Sequence, residues 1–119
     1  MKVSVIIPTY NGEKTIERAI LSVLNQTLKC EKEILICDDC STDRTVEIAL
    51  KHDCKIYRNK ANSGGPNLGR NTGIKKSSGC YVCFLDQDDE WLLNKLETQF
   101  KHIENGADFV YSPSIKKQE

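Results

Sequence analysis

The feature that most constrains this chain is the regular alternation of short β-branched runs with helical apolar stripes. Val3 to Ile7 is an almost unbroken apolar run, the pattern of a strand buried on both faces. Asn11-Gly12 breaks it. Ile16, Ala19, Ile20, Val23 and Leu24 then recur at i, i+3, i+4, i+7 and i+8, one stripe on a helix. Glu33 to Cys37 reads as a second strand, centred on Ile34-Leu35-Ile36. Ser41 is predicted to cap a helix that turns Val46, Ala49 and Leu50 inward, with Asp43 in its first turn. Lys55 to Arg58 is a short third strand. Asn62-Ser63-Gly64-Gly65-Pro66 is the strongest punctuation, and Pro66 suits the first turn of a helix running to about Ser77, before Gly79. Tyr81 to Leu85 is the fourth strand and ends in Asp86-Gln87-Asp88-Asp89. A helix is predicted from Trp91 to about Asn105, with Leu92, Leu96, Phe100 and Ile103 on one side and Gly106 as its stop. Asp108 to Ser112 opens a fifth strand, before a polar tail with Lys116 and Lys117. This order predicts an α/β fold, a mostly parallel sheet with helices on both faces and right-handed crossovers.

Length and charge narrow the function. At 119 residues the chain is one domain and not two, and folding buries about two-thirds of the surface the unfolded chain exposes. Its 17 basic and 17 acidic residues cancel, which argues against bulk nucleic acid or an anionic membrane as partner. No apolar run approaches the ~20 residues of a spanning helix. The N-terminal apolar stretch is too short for a signal peptide, so a soluble, cytoplasmic chain is expected. Six cysteines include two C-x-x-C pairs, Cys37/Cys40 and Cys80/Cys83. The pairs stand far more than the roughly 15–20 residues of a zinc ribbon apart. Cys80 and Cys83 also fall at i and i+3 of a strand-like run and would face opposite ways. Reduced, mostly buried thiols are the expectation.

In an open α/β sheet, ligands bind outside the carboxyl ends of the strands. Here those ends carry Pro8-Thr9-Tyr10-Asn11, Asp38-Asp39 and Asp86-Gln87-Asp88-Asp89, which gathers up to five carboxylates and an aromatic at one edge. Crowded carboxylates raise one another's pKa unless a cation is shared among them. Hard oxygen ligands of this kind suit Mg2+ or Mn2+ held together with substrate phosphates. The Gly64-Gly65-Pro66 helix start offers backbone N–H groups and a helix dipole to phosphate, with Arg70 one turn in. Tyr10 offers a face for a base. Together these parts describe a pocket for a metal-chelated nucleotide diphosphate.

Each part also has a plainer reading. Asp38 and Asp39 serve equally well to start a turn, Gly64-Gly65 as an ordinary loop, and Tyr10 as packing. Trp91 reads as core or as a helix-start anchor, His52 and His102 as surface residues, and Lys75-Lys76 as a solvated helix face. The acidic cluster is harder to set aside, because a buried strand rarely ends in three acids without a cation or substrate.

The motifs in sequence resemble family 2 glycosyltransferases. Val3-Ser4-Val5-Ile6-Ile7-Pro8-Thr9-Tyr10-Asn11, Ser22-Val23-Leu24-Asn25-Gln26-Thr27 and Ile36-Cys37-Asp38-Asp39-Cys40-Ser41-Thr42-Asp43 carry the first part of the likeness. Asn62-Ser63-Gly64-Gly65-Pro66, Arg70-Asn71-Thr72-Gly73 and Phe84-Leu85-Asp86-Gln87-Asp88-Asp89 continue it in the family's order, over residues 2–112. The resemblance implies the GT-A fold, a Rossmann-like domain that binds a nucleotide-diphospho-sugar, most often a UDP-sugar. It implies that Tyr10 and Asp39 contact the base, that Arg70 helps hold the nucleotide, and that Pro8, Asp38, Gly65 and Asp86 complete the donor-binding set. Asp88 is the first choice of metal ligand, with Asp89 and Asp86 as further candidates, for Mn2+ or Mg2+. The implied reaction is inverting sugar transfer, in which an acceptor hydroxyl attacks the anomeric carbon and a carboxylate base activates it. No residue here matches that base, so no catalytic residue is assigned. Three positions depart from the family pattern: Gln87 stands where a small residue is common and is expected to crowd the site, Leu93 where Pro is frequent, and Cys40 where Asn or Gly is usual.

The family's catalytic domain is roughly twice as long as this chain, within the ordinary range for one domain. Residues 1–112 are therefore expected to be the donor-binding half, with 113–119 a polar tail at a truncation point. The glycan or lipid-linked acceptor would bind through the other half, at the cytoplasmic face of a membrane if the whole protein is attached there. Apolar surface left by a missing half would favour self-association. Two other classes remain open at this point. A non-catalytic nucleotide-binding domain would share the fold. A receiver-type phosphoacceptor domain would share length and Mg2+, but it places its acids after the first and third strands rather than the second and fourth.

Overall fold

A computed structural model describes residues 2–104. Its elements run β1 (Lys2–Thr9), α1 (Ile16–Leu24), β2 (Glu31–Asp38), α2 (Thr45–Ala49), β3 (Lys55–Arg58), α3 (Asn67–Lys76), β4 (Tyr81–Phe84) and α4 (Lys95–Glu104). The four strands form one sheet in the order β3-β2-β1-β4, and every pairing is parallel. β1 and β2 are central and buried on both faces, as their continuous apolar runs require. The predicted fifth strand at 108–112, the Gly106 stop, the Ile103 side chain and the polar tail lie outside the described residues.

The pleat divides the core into two layers. Val3, Val5 and Ile7 of β1 and Ile34 and Ile36 of β2 face α1, where Ile16, Ala19, Ile20 and Val23 are all fully buried. Trp91, Leu96 and Phe100 close the same layer, which bears out the reading of Trp91 as core. Ile6, Leu35 and Cys37 point to the opposite face, which α3 covers. α3 has no apolar stripe; it packs through Gly69 and Gly73. A Cβ at Gly73 would collide with Ile6 Cγ2 and stand 2.7 Å from Cγ1, so glycine is what allows the helix to lie this close to the sheet.

Several boundaries differ from the sequence expectation, each for a traceable reason. Ser41 does not cap α2, which begins at Thr45; the Ser41 hydroxyl instead donates to Asp38 Oδ1 at 2.5 Å. Asp43 takes over at the helix start, accepting from the Thr45 N–H at 2.9 Å. Leu50 is 65% exposed rather than inward, and Ile48 packs on the core in its place. Leu24, at the end of its stripe, is 39% exposed.

α4 starts at Lys95 and not at Trp91, because residues 91–93 spend their backbone groups on the end of α1. Trp91 N–H donates to Ser22 Oγ (3.0 Å), Leu92 O accepts from Gln26 Nε2 (2.6 Å) and Leu93 O accepts from Thr27 N–H (2.9 Å). Gln26 Oε1 then accepts the Leu96 N–H at 2.9 Å, one of the orphan donors of the new helix. Leu92 is left 56% exposed. His52 is also less peripheral than expected, its Nε2 lying 2.9 Å from Glu17 Oε2.

All six cysteines are free thiols, and only Cys37 is fully buried. Cys80 is exposed and the other four are half-buried, so the expected mostly buried set reduces to one residue. Burial pushes the Cys37 thiol up to about 11.

Candidate functional site

The carboxyl ends of β1 and β2 are bound together before any ligand is considered. Asp38 is fully buried and accepts from Thr9 Oγ1 (3.0 Å), from the Ser41 N–H (2.9 Å) and from the Ser41 hydroxyl, with Arg58 Nε 3.3 Å away. Ser41 Oγ in turn accepts the Asn11 N–H at 2.9 Å. The Asp38 side chain therefore holds the turn that follows β2 to the exit of β1.

Asp39 performs the same service for the glycine-rich loop. Its carboxylate accepts from Asn59 Nδ2 at 2.8 Å and from both the N–H and the hydroxyl of Ser63 at 3.0 Å. Burial works against the charged form, but these hydrogen bonds outweigh it and hold the Asp39 carboxyl below the ordinary carboxylate value. Gly64 follows at φ 91°, a conformation that favours glycine. Cys40 sits at φ 66°, in the left-handed region that Asn or Gly adopts at lower cost than a residue with a thiol side chain.

Beyond this braced edge lies a cavity of about 430 Å³. Its walls include Pro8 from β1, Tyr10 just after it, Asp39 from the β2 exit, Gly65 from the loop, Arg70 from α3 and Asp86 and Asp88 after β4. Seven of the nine residues singled out from the sequence thus converge on one space. Asp38 and Asp89 do not line it; both are buried. Arg70 Nη2 lies 3.3 Å from Asp86 Oδ1, an exposed pair worth little by itself. Tyr10 is 44% exposed, its ring available at the rim.

Cys37, Gly69 and Gln87 also line the cavity and were not marked as site residues from sequence. Gly69 forms part of the floor: a Cβ there would meet Pro8 Cβ at 3.2 Å and the Cys37 carbonyl at 3.3 Å. Its signal was available as the Gly69/Gly73 pair at i and i+4 on one helix face. Gln87 holds its carboxamide against the backbone of Tyr10.

Asp86, Asp88 and Asp89 each present a carboxylate oxygen within 4.8 Å of the others. Among the described residues this is the only group of His, Cys, Asp or Glu with that geometry, so the cysteine pairs form no such centre. Three oxygens at that spacing, one exposed, one half-buried and one buried, would suit a hard divalent cation. No helix among the described residues is long and apolar enough to cross a membrane.

Comparison with known proteins places this chain in a family. The sequence model described as Glycosyl transferase family 2 matches residues 4–119. The chain is 42% identical over 113 residues to the UDP-Glc:alpha-D-GlcNAc-diphosphoundecaprenol beta-1,3-glucosyltransferase WfgD of Escherichia coli, covering 92% of this chain and 44% of that protein. It is 44% identical over 94 residues to the poly(ribitol-phosphate) beta-N-acetylglucosaminyltransferase TarS of Staphylococcus aureus, covering 75% of this chain and 16% of TarS. The crystal structure of S. aureus TarS 1-349 in complex with UDP superposes with a TM-score of 0.82 at 38% identity, over 88% of this chain and 32% of that one. The chain thus spans less than half the length of these relatives.

Proposed function

The chain belongs to glycosyl transferase family 2, and on that premise we propose that it forms the donor-binding part of a metal-dependent, inverting glycosyltransferase that uses a UDP-sugar. The observation that carries this reading is the convergence of Pro8, Tyr10, Asp39, Gly65, Arg70, Asp86 and Asp88 on one cavity, beside a three-carboxylate group. That one relative with the same fold, S. aureus TarS 1-349, has been crystallised with UDP and separately with UDP-GlcNAc supports the choice of nucleotide.

Tyr10 and Asp39 flank the base in this reading. Asp39 meets it while its carboxylate remains tied to Asn59 and Ser63, so base recognition and loop order depend on the same side chain. Asp38 contributes from behind by fixing the turn. Arg70 and the first turn of α3 face the diphosphate, where a guanidinium and unpaired helix N–H groups favour anionic oxygen. Asp88, with Asp86 and Asp89, holds Mn2+ or Mg2+, which when bound neutralises charge on the departing diphosphate. The acceptor is a hydroxyl of a glycan or lipid-linked carrier, bound outside the residues described here, at the cytoplasmic face of a membrane. No residue of this chain is assigned as the base that activates it.

The test is thermal unfolding with UDP, GDP, dTDP and ADP, each with and without Mn2+. A ligand at 100 times its Kd adds about 2.7 kcal/mol, enough to raise the midpoint of a domain this size by several degrees. Stabilisation by UDP that depends on Mn2+ is expected. Stabilisation by another nucleotide alone would refute the uracil assignment, and no shift with any nucleotide would refute the donor site.

A further inference from the structure

The acidic loop and the exit of β1 are joined through a single side chain. Gln87 Oε1 accepts the Tyr10 N–H at 2.8 Å, and Gln87 Nε2 donates to the Tyr10 carbonyl at 2.8 Å. A carboxamide that satisfies both backbone groups of one residue behaves like one rung of a β-ladder. It fixes separation and twist together, which a single hydrogen bond does not. The fold makes room for it at Gly12, where a Cβ would collide with Gln87 Oε1 and stand 2.7 Å from its Cδ. Arg18 holds the other side of the loop, its Nη2 donating to the Asp88 carbonyl at 2.8 Å.

Gln87 also stands at a boundary. The 430 Å³ cavity adjoins a second of about 530 Å³, lined by Asn11 to Thr15 and Asp43. Among the described residues the two share only Gln87 and Asp88. Gln87 therefore lies where the two cavities meet, flanked in sequence by Asp86 and Asp88 and bonded to the backbone of Tyr10.

We propose that Gln87 is a positioning residue: its double bond to the Tyr10 backbone sets the base platform and the acidic loop at one separation, so that nucleotide and divalent cation bind cooperatively. This rests on the donor-site reading above. A nucleoside diphosphate must touch both places at once. If their separation is already set, the second contact forms without further ordering of the chain, and that saving appears as coupling between the two ligands. Loosening Gln87 leaves each contact its own strength and removes the saving.

The experiment measures the factor by which Mn2+ tightens UDP binding, with uridine alone and Mn2+ alone as controls. Gln87→Met keeps the volume and deletes both hydrogen bonds. Gly12→Ala displaces the same carboxamide from the opposite side without altering it. Each is expected to lower the coupling factor about tenfold, which is about 1.4 kcal/mol, a larger loss than either variant shows with uridine alone or with Mn2+ alone. The double variant is expected to lose no more than the larger single loss, since both act on one contact. Should Gln87→Met fail to fold, Gly12→Ala decides the matter alone. A coupling factor that survives in the folded variants overturns the proposal, as does a loss matched by an equal loss of Mn2+ affinity alone. A wild-type chain that binds UDP equally with and without Mn2+ overturns the coupling and leaves the nucleotide site standing. A wild-type chain that binds no UDP overturns the donor site and the proposal with it.

Discussion

Glu33 lies at the end of the sheet opposite the cavity and ties all four strands together. Its buried carboxylate accepts from Ser4 Oγ of β1 (2.5 Å), from the N–H and hydroxyl of Ser78 just before β4 (2.7 and 3.0 Å) and from Lys55 Nζ of β3 (3.1 Å). Lys2 Nζ is 3.6 Å away. Burial would raise its pKa, but the bonds from Ser4, Ser78 and Lys55 outweigh that and lower it from 4.5 to about 2. At 1.36 kcal/mol per unit the full shift is worth about 3 kcal/mol, and solvent screening at the half-exposed Lys55 reduces this to about 2 kcal/mol. Because the folded pKa is the lower one, the unfolded chain binds more protons between about pH 2 and 4.5. The stabilisation is therefore fully present above the unfolded pKa and is lost as pH falls through that window.

Glu33→Gln keeps the shape, removes the charge and turns an amide N–H toward donors. Urea unfolding of both proteins at pH 7, 5, 4 and 3 is expected to give a difference of about 2 kcal/mol at neutral pH that shrinks steadily below pH 4.5. Titration of Asp39 and Asp43, also held below their ordinary values, is common to both proteins and cancels. A difference that is the same at pH 3 and pH 7 would show that the charge of Glu33 contributes nothing.

Two further substitutions probe the backbone and the packing of α3. Cys40→Asn places a residue suited to φ 66° where a thiol now sits and is expected to stabilise by about 0.5–1 kcal/mol, read as a rise in Tm; a fall would refute the strain argument. Gly73→Ala forces a methyl into Ile6 and is expected to destabilise by about 1–3 kcal/mol in urea unfolding. In an Ile6→Ala background Gly73→Ala should cost less than it does alone, and strict additivity of the two would mean that the helix does not rest on Ile6.

Features that depend on local pattern were legible in the sequence. Lys55 to Arg58 is a strand with the expected limits, and α1 carries Ile16, Ala19, Ile20 and Val23 inward as their spacing requires. The three strand ends gather their acids at one edge because parallel connections leave them no other place. What could not be read is what depends on partners distant in sequence. Gln26 moves the start of α4 by bonding residues about seventy positions away, and no periodicity announces that. Gln87 reaches Tyr10 across seventy-seven positions, so its departure from the family pattern read only as bulk. α3 hides its packing face because the residues that touch the sheet are glycines, which leave no apolar stripe to find.

The donor-site assignment is tested most directly by calorimetric titration of UDP into this chain with and without Mn2+, for the wild type and for Asp88→Asn. Asp88 is exposed, and Arg18 donates to its backbone carbonyl, a contact that the substitution leaves in place. The assignment predicts that Mn2+ tightens UDP binding to the wild type and that Asp88→Asn abolishes the tightening. Binding of UDP that is indifferent both to Mn2+ and to Asp88 would contradict it.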